Sequence, residues 1–506
     1  MNRQEQMILE TDDLAQAGQT ILFHLGLSTA GGRHTLVSHL ERAHYKAVKN
    51  WLTKYQPKAE ATNIEQTRGL LESFHHLCEV AAWEQAIELM LISVNLVNKS
   101  LEGSLIEPFH HQLGRWGYYP EQVLLYKRLL GHLTPETEMV CLNGLGLAYQ
   151  TLGDYSRAIE YHSQHLNLAR QTGDLEAEKN ALVNLGNVYG ATRQYLVAVA
   201  CYEEALNLAR QLGDRKGEGK LLGNFGVLQR LQSNFEEAIA YHQQHLQIAW
   251  ELDDQEGEAN ALENLGVAQY YLGVHDIARD LFQSSLRISA QIGNKKAMAV
   301  TLGSLGNVIT ELGDIQEGLH YYQQQLEISR EINYLEGQEK ALGNIGTIYK
   351  DLGNYEVSLE YLRQNLSLAR QRQSRQSEAY ALSNMGNTYT CLGQYKEAIR
   401  CQQASIEITQ GMGDRWGCAA AMYNLGDGYR LSKQFDLAVS SLLNSLLIFD
   451  SLPASQIETV MVLLTKIAFE VGIEEYIELL EKHLATIQEA QGEDAVFRLR
   501  KHLFEE

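Results

Sequence analysis

The residues of this chain best placed to do chemistry are carboxamides. Asn184, Asn224, Asn264, Asn344, Asn384 and Asn424 each stand two residues before a glycine of a series spaced 40 residues apart, with Gly144 and Ser304 at the two exceptions. Asn187, Asn307 and Asn387 follow such glycines by one residue, where Thr347 and Asp427 are their polar relatives. A carboxamide carries a donor and an acceptor, so a ladder of them matches the N–H and C=O groups of an extended peptide whatever its side chains. Each such contact adds on the order of 1 kcal/mol. The same groups are able to hydrogen-bond a neighbouring repeat instead. Asparagine is a mediocre helix former, by roughly 0.5 kcal/mol, and a face that only met water would more naturally carry Glu or Lys. Lys220, Arg230, Lys340, Lys350 and Arg430, with Tyr270, Tyr380 and Tyr423, fall on or beside this stripe and suit carboxylates in a ligand.

Other chemistries find no such pattern. His162/His165 and His242/His245 are three apart, a spacing able to bind metal, but no third ligand recurs with them, so they read as structural or surface histidines. The neighbours His75-His76 and His110-His111 point to different faces of their helices. Glu138, Glu178, Glu218, Glu258 and Glu378 fall in first helical turns, where the helix dipole favours them. No G-x-S-x-G, H-E-x-x-H or glycine-rich phosphate loop is present. The expectation is a protein that is not an enzyme, with no catalytic residue, no metal site and no cofactor.

The carboxamides inherit their spacing from the backbone. Gly146, Gly186, Gly226, Gly266, Gly306, Gly346, Gly386 and Gly426 recur every 40 residues without a slip, the mark of a solenoid of stacked supersecondary units. In the unit from Asp174 to Asp214, Leu182, Leu185 and Tyr189 form one apolar stripe at helical spacing. A break follows at Thr192–Gln194, and a second helix from about Tyr195 to Gln211 carries Ala198, Leu206 and Leu208. Gly213 suits a left-handed helix end and Asp214 an N-cap. Each unit is thus a helical hairpin with faces it cannot bury alone. A mid-helix glycine costs roughly 1 kcal/mol against alanine, so eight of them imply close approach of the paired helices. Ala158, Ala198, Ala238, Ala278, Ala398 and Ala438, with Gly318 and Ser358, are the expected facing residues.

The pattern A-L-x-N-L-G-N-x-Y followed by L-G-x-Y-x-x-A-I resembles the tetratricopeptide repeat. The units exceed the usual 34 residues and are similar to the 40-residue units of Leu-Gly-Asn polarity adaptors, kinesin light chains and Rap-type peptide receptors. The resemblance covers about Thr134 to Asp450. It implies an all-α, right-handed superhelix, with the asparagines at first-helix positions that hold a peptide or helix of a partner protein in the concave groove.

Around this array the divisions are a helical segment over 1–60, degenerate repeat-like hairpins over 61–133, the eight units over 134–450 and capping helices over 451–506. Phe74 to Ile87 parallels Phe109 to Leu124, about 35 residues on. Leu36 to Tyr55 has helical pattern and Thr29–Arg33 reads as loose; Ile457–Phe469 and Glu474–Glu489 form an atypical ninth hairpin before a terminal helix, Ala495–Phe504. A net charge of −21 argues against nucleic acid and anionic membranes. Six cysteines without a C-x-x-C pair, no apolar amino-terminal run and no long apolar segment lead to the expectation of a cytoplasmic protein with no membrane insertion. The partner expected is a protein or peptide bound by a non-enzymatic scaffold. The alternatives are a peptide-gated regulator and a detached sensor arm of a signalling ATPase system.

Overall fold

The computed structural model describes residues 8–9, 14–27, 38–58, 61–94, 108–452 and 456–504. The Thr29–Arg33 stretch lies outside the described residues. The fold is all-α, with 26 helices among the described residues and one two-residue parallel pairing of Ile8–Leu9 with Ser93–Val94. The chain forms two compact bodies, Met1–Gly313 with Glu327–Leu335, and Asp314–Leu326 with Glu336–Glu506.

In the first body, Leu14–His24 and His39–Lys54 precede two short hairpins, Arg68–Glu79 with Trp83–Leu91 and Phe109–Arg115 with Tyr119–Leu129. Ser38 and Glu41 close a capping box at the start of the second helix. Phe74, Leu77, Phe109, Leu113 and Tyr126 fill the core of this region. The array follows: Pro135–Thr151 with Tyr155–Thr172, Leu175–Ala191 with Tyr195–Leu212, Arg215–Leu231 with Phe235–Glu251, Gln255–Tyr271 with His275–Gln291, then Lys295–Glu311. Each helix packs on the next, and each first helix also meets the first helix of the following unit. In the second body, Leu335–Asp351 with Tyr355–Gln371, Arg375–Cys391 with Tyr395–Met412 and Arg415–Leu431 with Phe435–Asp450 lead into Ile457–Val471, Ile473–Gln491 and Glu493–Phe504. Helix Ile315–Glu331 contributes residues to both bodies. Leu442, Leu446, Leu464, Leu484 and Leu499 join the last three helices into one core with the final unit.

Two left-handed residues make the turns of each of the first seven units. Gly213 (φ 69°) closes one second helix, and Asp214 then accepts the Gly217 amide at 2.8 Å to start the next first helix. Within hairpins the left-handed place is Gly153, Gly273, Gly353 or Gly393 in some units, but Arg193 (φ 60°), Ser233 (φ 63°) and Lys433 (φ 62°) in others. A side chain there costs roughly 1 kcal/mol or more. A further device spans the turn between units. Arg170, Arg210 and Arg370 donate to Glu178, Glu218 and Glu378, eight residues on, at 2.7 to 2.9 Å, and Trp250 donates to Glu258 in the same way. The first-turn glutamates therefore clasp consecutive units in addition to meeting the helix dipole.

The recurring glycine is required by the residue sixteen places on. A Cβ on Gly146 or Gly186 would run into the ring of His162 or Tyr202, and on Gly266 it would lie 2.5 Å from Phe282 Cε1. On Gly386 it would meet Gln402 at 2.5 Å, and on Gly426 it would meet Leu442 at 2.7 Å. Close approach is therefore correct, but its partner is mainly this side chain. The expected facing residue contributes its carbonyl, 3.4 Å away from the Cβ position at Ser358 and Ala438. In the second helix of the Gly186 unit, Ala198, Tyr202, Ala205 and Ala209 are the buried positions, with Leu206 and Leu208 only half-buried.

Candidate functional site

The asparagine ladder lies on the first helices and divides by what the neighbouring helix offers. Asn184 Nδ2 donates to Asn143 Oδ1 at 2.8 Å, and Asn424 Nδ2 reaches Ser383 Oγ at 3.4 Å. Ser304 Oγ donates to Glu263 Oε1 at 2.6 Å. In each case the residue two before the glycine meets the residue three before the preceding glycine. Where that place is Val183, Gly223 or Gly343, no acceptor exists for Asn224, Asn264 or Asn384. Asn264 Nδ2 turns back to the Asn260 carbonyl at 2.9 Å, and Asn384 Nδ2 is buried with no partner. Asn224 and Asn344 make no side-chain hydrogen bond among the described residues and are half-buried. Gly144 is the odd member because Tyr126 from the preceding hairpin lies over it, its hydroxyl 2.7 Å from His110 Nδ1.

The asparagines one past the glycine serve their own hairpins. Asn187 Oδ1 accepts from Tyr202 Oη at 2.7 Å and Asn387 Oδ1 from Gln402 Nε2 at 2.9 Å. Their partners are the same side chains that fill the space over Gly186 and Gly386. Asn307 is exposed.

The cations also divide. Arg430 is held by Asp427 at 2.7 Å and by Glu470, Lys340 pairs with Glu336 at 2.7 Å and Lys350 with Asp351 at 2.9 Å. Lys220 is exposed and has no ion pair among the described residues. The Arg230 guanidinium sits 5.7 Å from the Tyr271 ring centroid, and its Nε is buried without a partner. Lys220 lies near enough to Asp214 and Asp254 to help hold their carboxyls low, whereas Arg230 has no ion pair among the described residues. Tyr270 and Tyr423 are half-buried on this face, and Tyr380 is exposed. Burial pushes the Glu263 carboxyl above its ordinary value, with the Ser304 hydroxyl working in the opposite direction.

The histidine pairs are structural. His162, His165, His242 and His245 are buried inside their hairpins, and burial drives the pKa of His162 and His242 down to about 4. Among the described residues no group of three or more His, Cys, Asp or Glu side chains is placed to hold a metal ion, and no helix is long and apolar enough to cross a membrane.

A sequence profile of the tetratricopeptide repeat matches residues 137–211, 178–251, 217–291, 297–371 and 377–448. The chain belongs to the tetratricopeptide repeat family. No curated protein matches it in sequence. Among solved structures, a signal-transduction ATPase with a tetratricopeptide repeat sensor from Pyrococcus horikoshii is 14% identical, covering 96% of this chain and 70% of its own, with a TM-score of 0.48. Aspartyl phosphate phosphatase F from Bacillus subtilis is 14% identical over 79% of this chain and 97% of its own, TM-score 0.46. The quorum sensor NprR from B. thuringiensis, in its apo form, is 16% identical over 70% of this chain and 97% of its own, TM-score 0.42. Family membership makes this repeat array a protein-interaction module in class. Sequence reasoning found the polar stripe but not its division, because a helical wheel gives an angle and not the identity of the residue on the next helix. The signal was present in the glycines at 223 and 343, which remove the acceptor.

Proposed function

We propose that the first-helix face of each body takes an extended segment of a partner protein, with Asn224 and Asn264 presented to it in the first body and Asn344 and Asn384 in the second. One observation carries this reading. Asn184 and Ser304 in the first body and Asn424 in the second are bonded to the preceding first helix, whereas Asn224 and Asn264 in the first and Asn384 in the second are not. Arg230 adds positive charge with no ion pair among the described residues and favours a carboxylate in the ligand. The output is assembly with, or retention of, the partner, and no residue of the array is asked to perform a reaction.

The test is a comparison of the wild-type chain with Asn264→Ala, Asn344→Ala and Asn384→Ala combined, as bait in native extract with mass spectrometry of what is retained. Loss of a reproducible partner with an unshifted melting temperature supports the reading. A lowered melting temperature with the partner still bound shows that these asparagines serve the fold and overturns it.

A further inference from the structure

We infer that a slot on the second-helix side of the first body takes an arginine side chain of a partner protein.

Three consecutive helices build the slot. Tyr195–Leu212 and Phe235–Glu251 are its walls, and the first helix between them, Arg215–Leu231, is its floor. It holds about 410 Å³, within the range of ligand clefts. Leu206, Leu222 and Phe225 line it, and Tyr241 stacks on Phe225 with ring centroids 5.4 Å apart and planes within 18°. Phe225 also meets Tyr202 edge-on at 5.4 Å, the ring that presses on Gly186. Leu222 and Phe225 stand four and one before Gly226, on the apolar stripe and not on the stripe of carboxamides.

One carboxylate stands on each wall, Glu203 on the first and Glu237 on the second. Both are exposed, and neither has an ion pair among the described residues. The cation at the slot, Arg210, is already held by Glu218 at 2.8 Å. The fold does not ask for this chemistry. In the place of Glu203, seventeen residues after the repeat glycine, four other units carry Gln243, Gln283, Gln323 and Gln403. In the place of Phe225, the seven other units carry Leu, Ile or Met. The slot recurs in the second body 200 residues on, with about 310 Å³ over Ile406, Met422 and Leu425. There Gln403 and Leu437 replace the two carboxylates and Ser441 replaces Tyr241. The cleft is thus a property of the repeat, whereas paired acids above stacked rings belong to one place in the array.

Charge complementarity fixes the occupant. An apolar guest would fill the floor and draw two carboxylates out of water without pairing them. Lysine brings a compact, strongly hydrated charge, whereas the planar guanidinium of arginine lies on an aromatic face and forks to carboxylates. Its methylene stem covers Leu206 and Leu222. Arginine therefore answers both the walls and the floor.

Random twelve-residue peptides displayed on phage provide the probe. They are selected on the full chain after passage over the full chain carrying Glu203→Gln with Glu237→Gln, which removes binders to other faces. Selected peptides are synthesised and titrated by fluorescence anisotropy. The expected result is one position restricted to arginine. Lysine there weakens binding about tenfold and alanine about a hundredfold, the scale of charge-assisted hydrogen bonds with a ring contact. The glutamine pair weakens the arginine peptide about a hundredfold as well, with an unshifted melting temperature, because neither glutamate is paired in the fold. Phe225→Leu, which installs the residue of five sister units, weakens it about tenfold. Recovery of no peptide, peptides without an arginine position, or titrations unchanged by the glutamine pair overturn the slot. So does release by the triple asparagine variant, which assigns the peptides to the first-helix face and leaves that reading standing. A dimer in light scattering that the glutamine pair dissociates makes the occupant a second copy and likewise overturns the partner arginine.

Discussion

Replacing His162 and His242 together by phenylalanine is expected to flatten the pH dependence of stability in the first body between pH 7 and pH 5. Both imidazoles are fully buried, stand against Gly146 and Gly226, and have neither ring nitrogen hydrogen-bonded. Burial, reinforced by His165 beside one and by His245 and Arg230 beside the other, pushes each down to about 4. The unfolded chain protonates histidine near 6.5, so between 6.5 and about 4 it binds a proton that the folded chain excludes. Stability then falls as pH drops through this window and is level above it. At pH 5 each imidazole accounts for about 2 kcal/mol, and the pair for about 4 kcal/mol. Phenylalanine is the matched replacement because Phe282 occupies the same place over Gly266. The assay is urea unfolding at pH 7, 6 and 5, followed by hydrogen-exchange mass spectrometry of Tyr155–Thr172 and Phe235–Glu251 so that each hairpin is read by itself. His110, pushed to about 3, is common to both proteins and cancels in the difference. Carboxylates such as Glu218, held low by Arg210 and Arg215, matter only in stronger acid. Wild-type and variant curves that run parallel from pH 7 to pH 5 would refute the reasoning.

Two helical glycines respond in opposite senses to alanine. Gly186→Ala drives a methyl into the Tyr202 ring and should lower stability by about 1–3 kcal/mol, whereas Gly411→Ala meets nothing within 4 Å and should raise it by about 0.5–1 kcal/mol; chemical denaturation of the two variants side by side checks both. Ser233→Gly and Lys433→Gly relieve left-handed residues and should each stabilise their hairpin by about 1 kcal/mol, read as slower amide exchange across the turn.

The hairpins were largely legible. The second helix predicted from about Tyr195 to Gln211 runs Tyr195–Leu212, Gly213 is left-handed and Asp214 caps the next helix. These features depend on neighbours along the chain, and local chemistry decides them. Contacts between layers were less legible. Nothing in the spacing showed that Tyr202, and not Ala198, presses on Gly186, since both lie on the inner side of the second helix. Nor did it show that Asn187 would be held by the same tyrosine while Asn224 is left open. The wheel placed both asparagines on one stripe, yet a shift of three residues takes one into the hairpin and leaves the other between first helices. The spacing leaves His162 and His242 as structural or surface histidines; burial makes them structural, and their role as the ring over the glycine depends on a helix that the wheel does not contain.

The clasp from Arg170 to Glu178, repeated at Arg210 with Glu218 and Arg370 with Glu378, closes over the joint between units and not within them. Excising residues 175–214 would bring Arg170 to the same eight-residue distance from Glu218 that it now keeps from Glu178. The joint regenerates itself after the loss of one whole period, cap and left-handed glycine included. At the joints that carry the clasp, removal or addition of one hairpin therefore leaves the same eight-residue link in place.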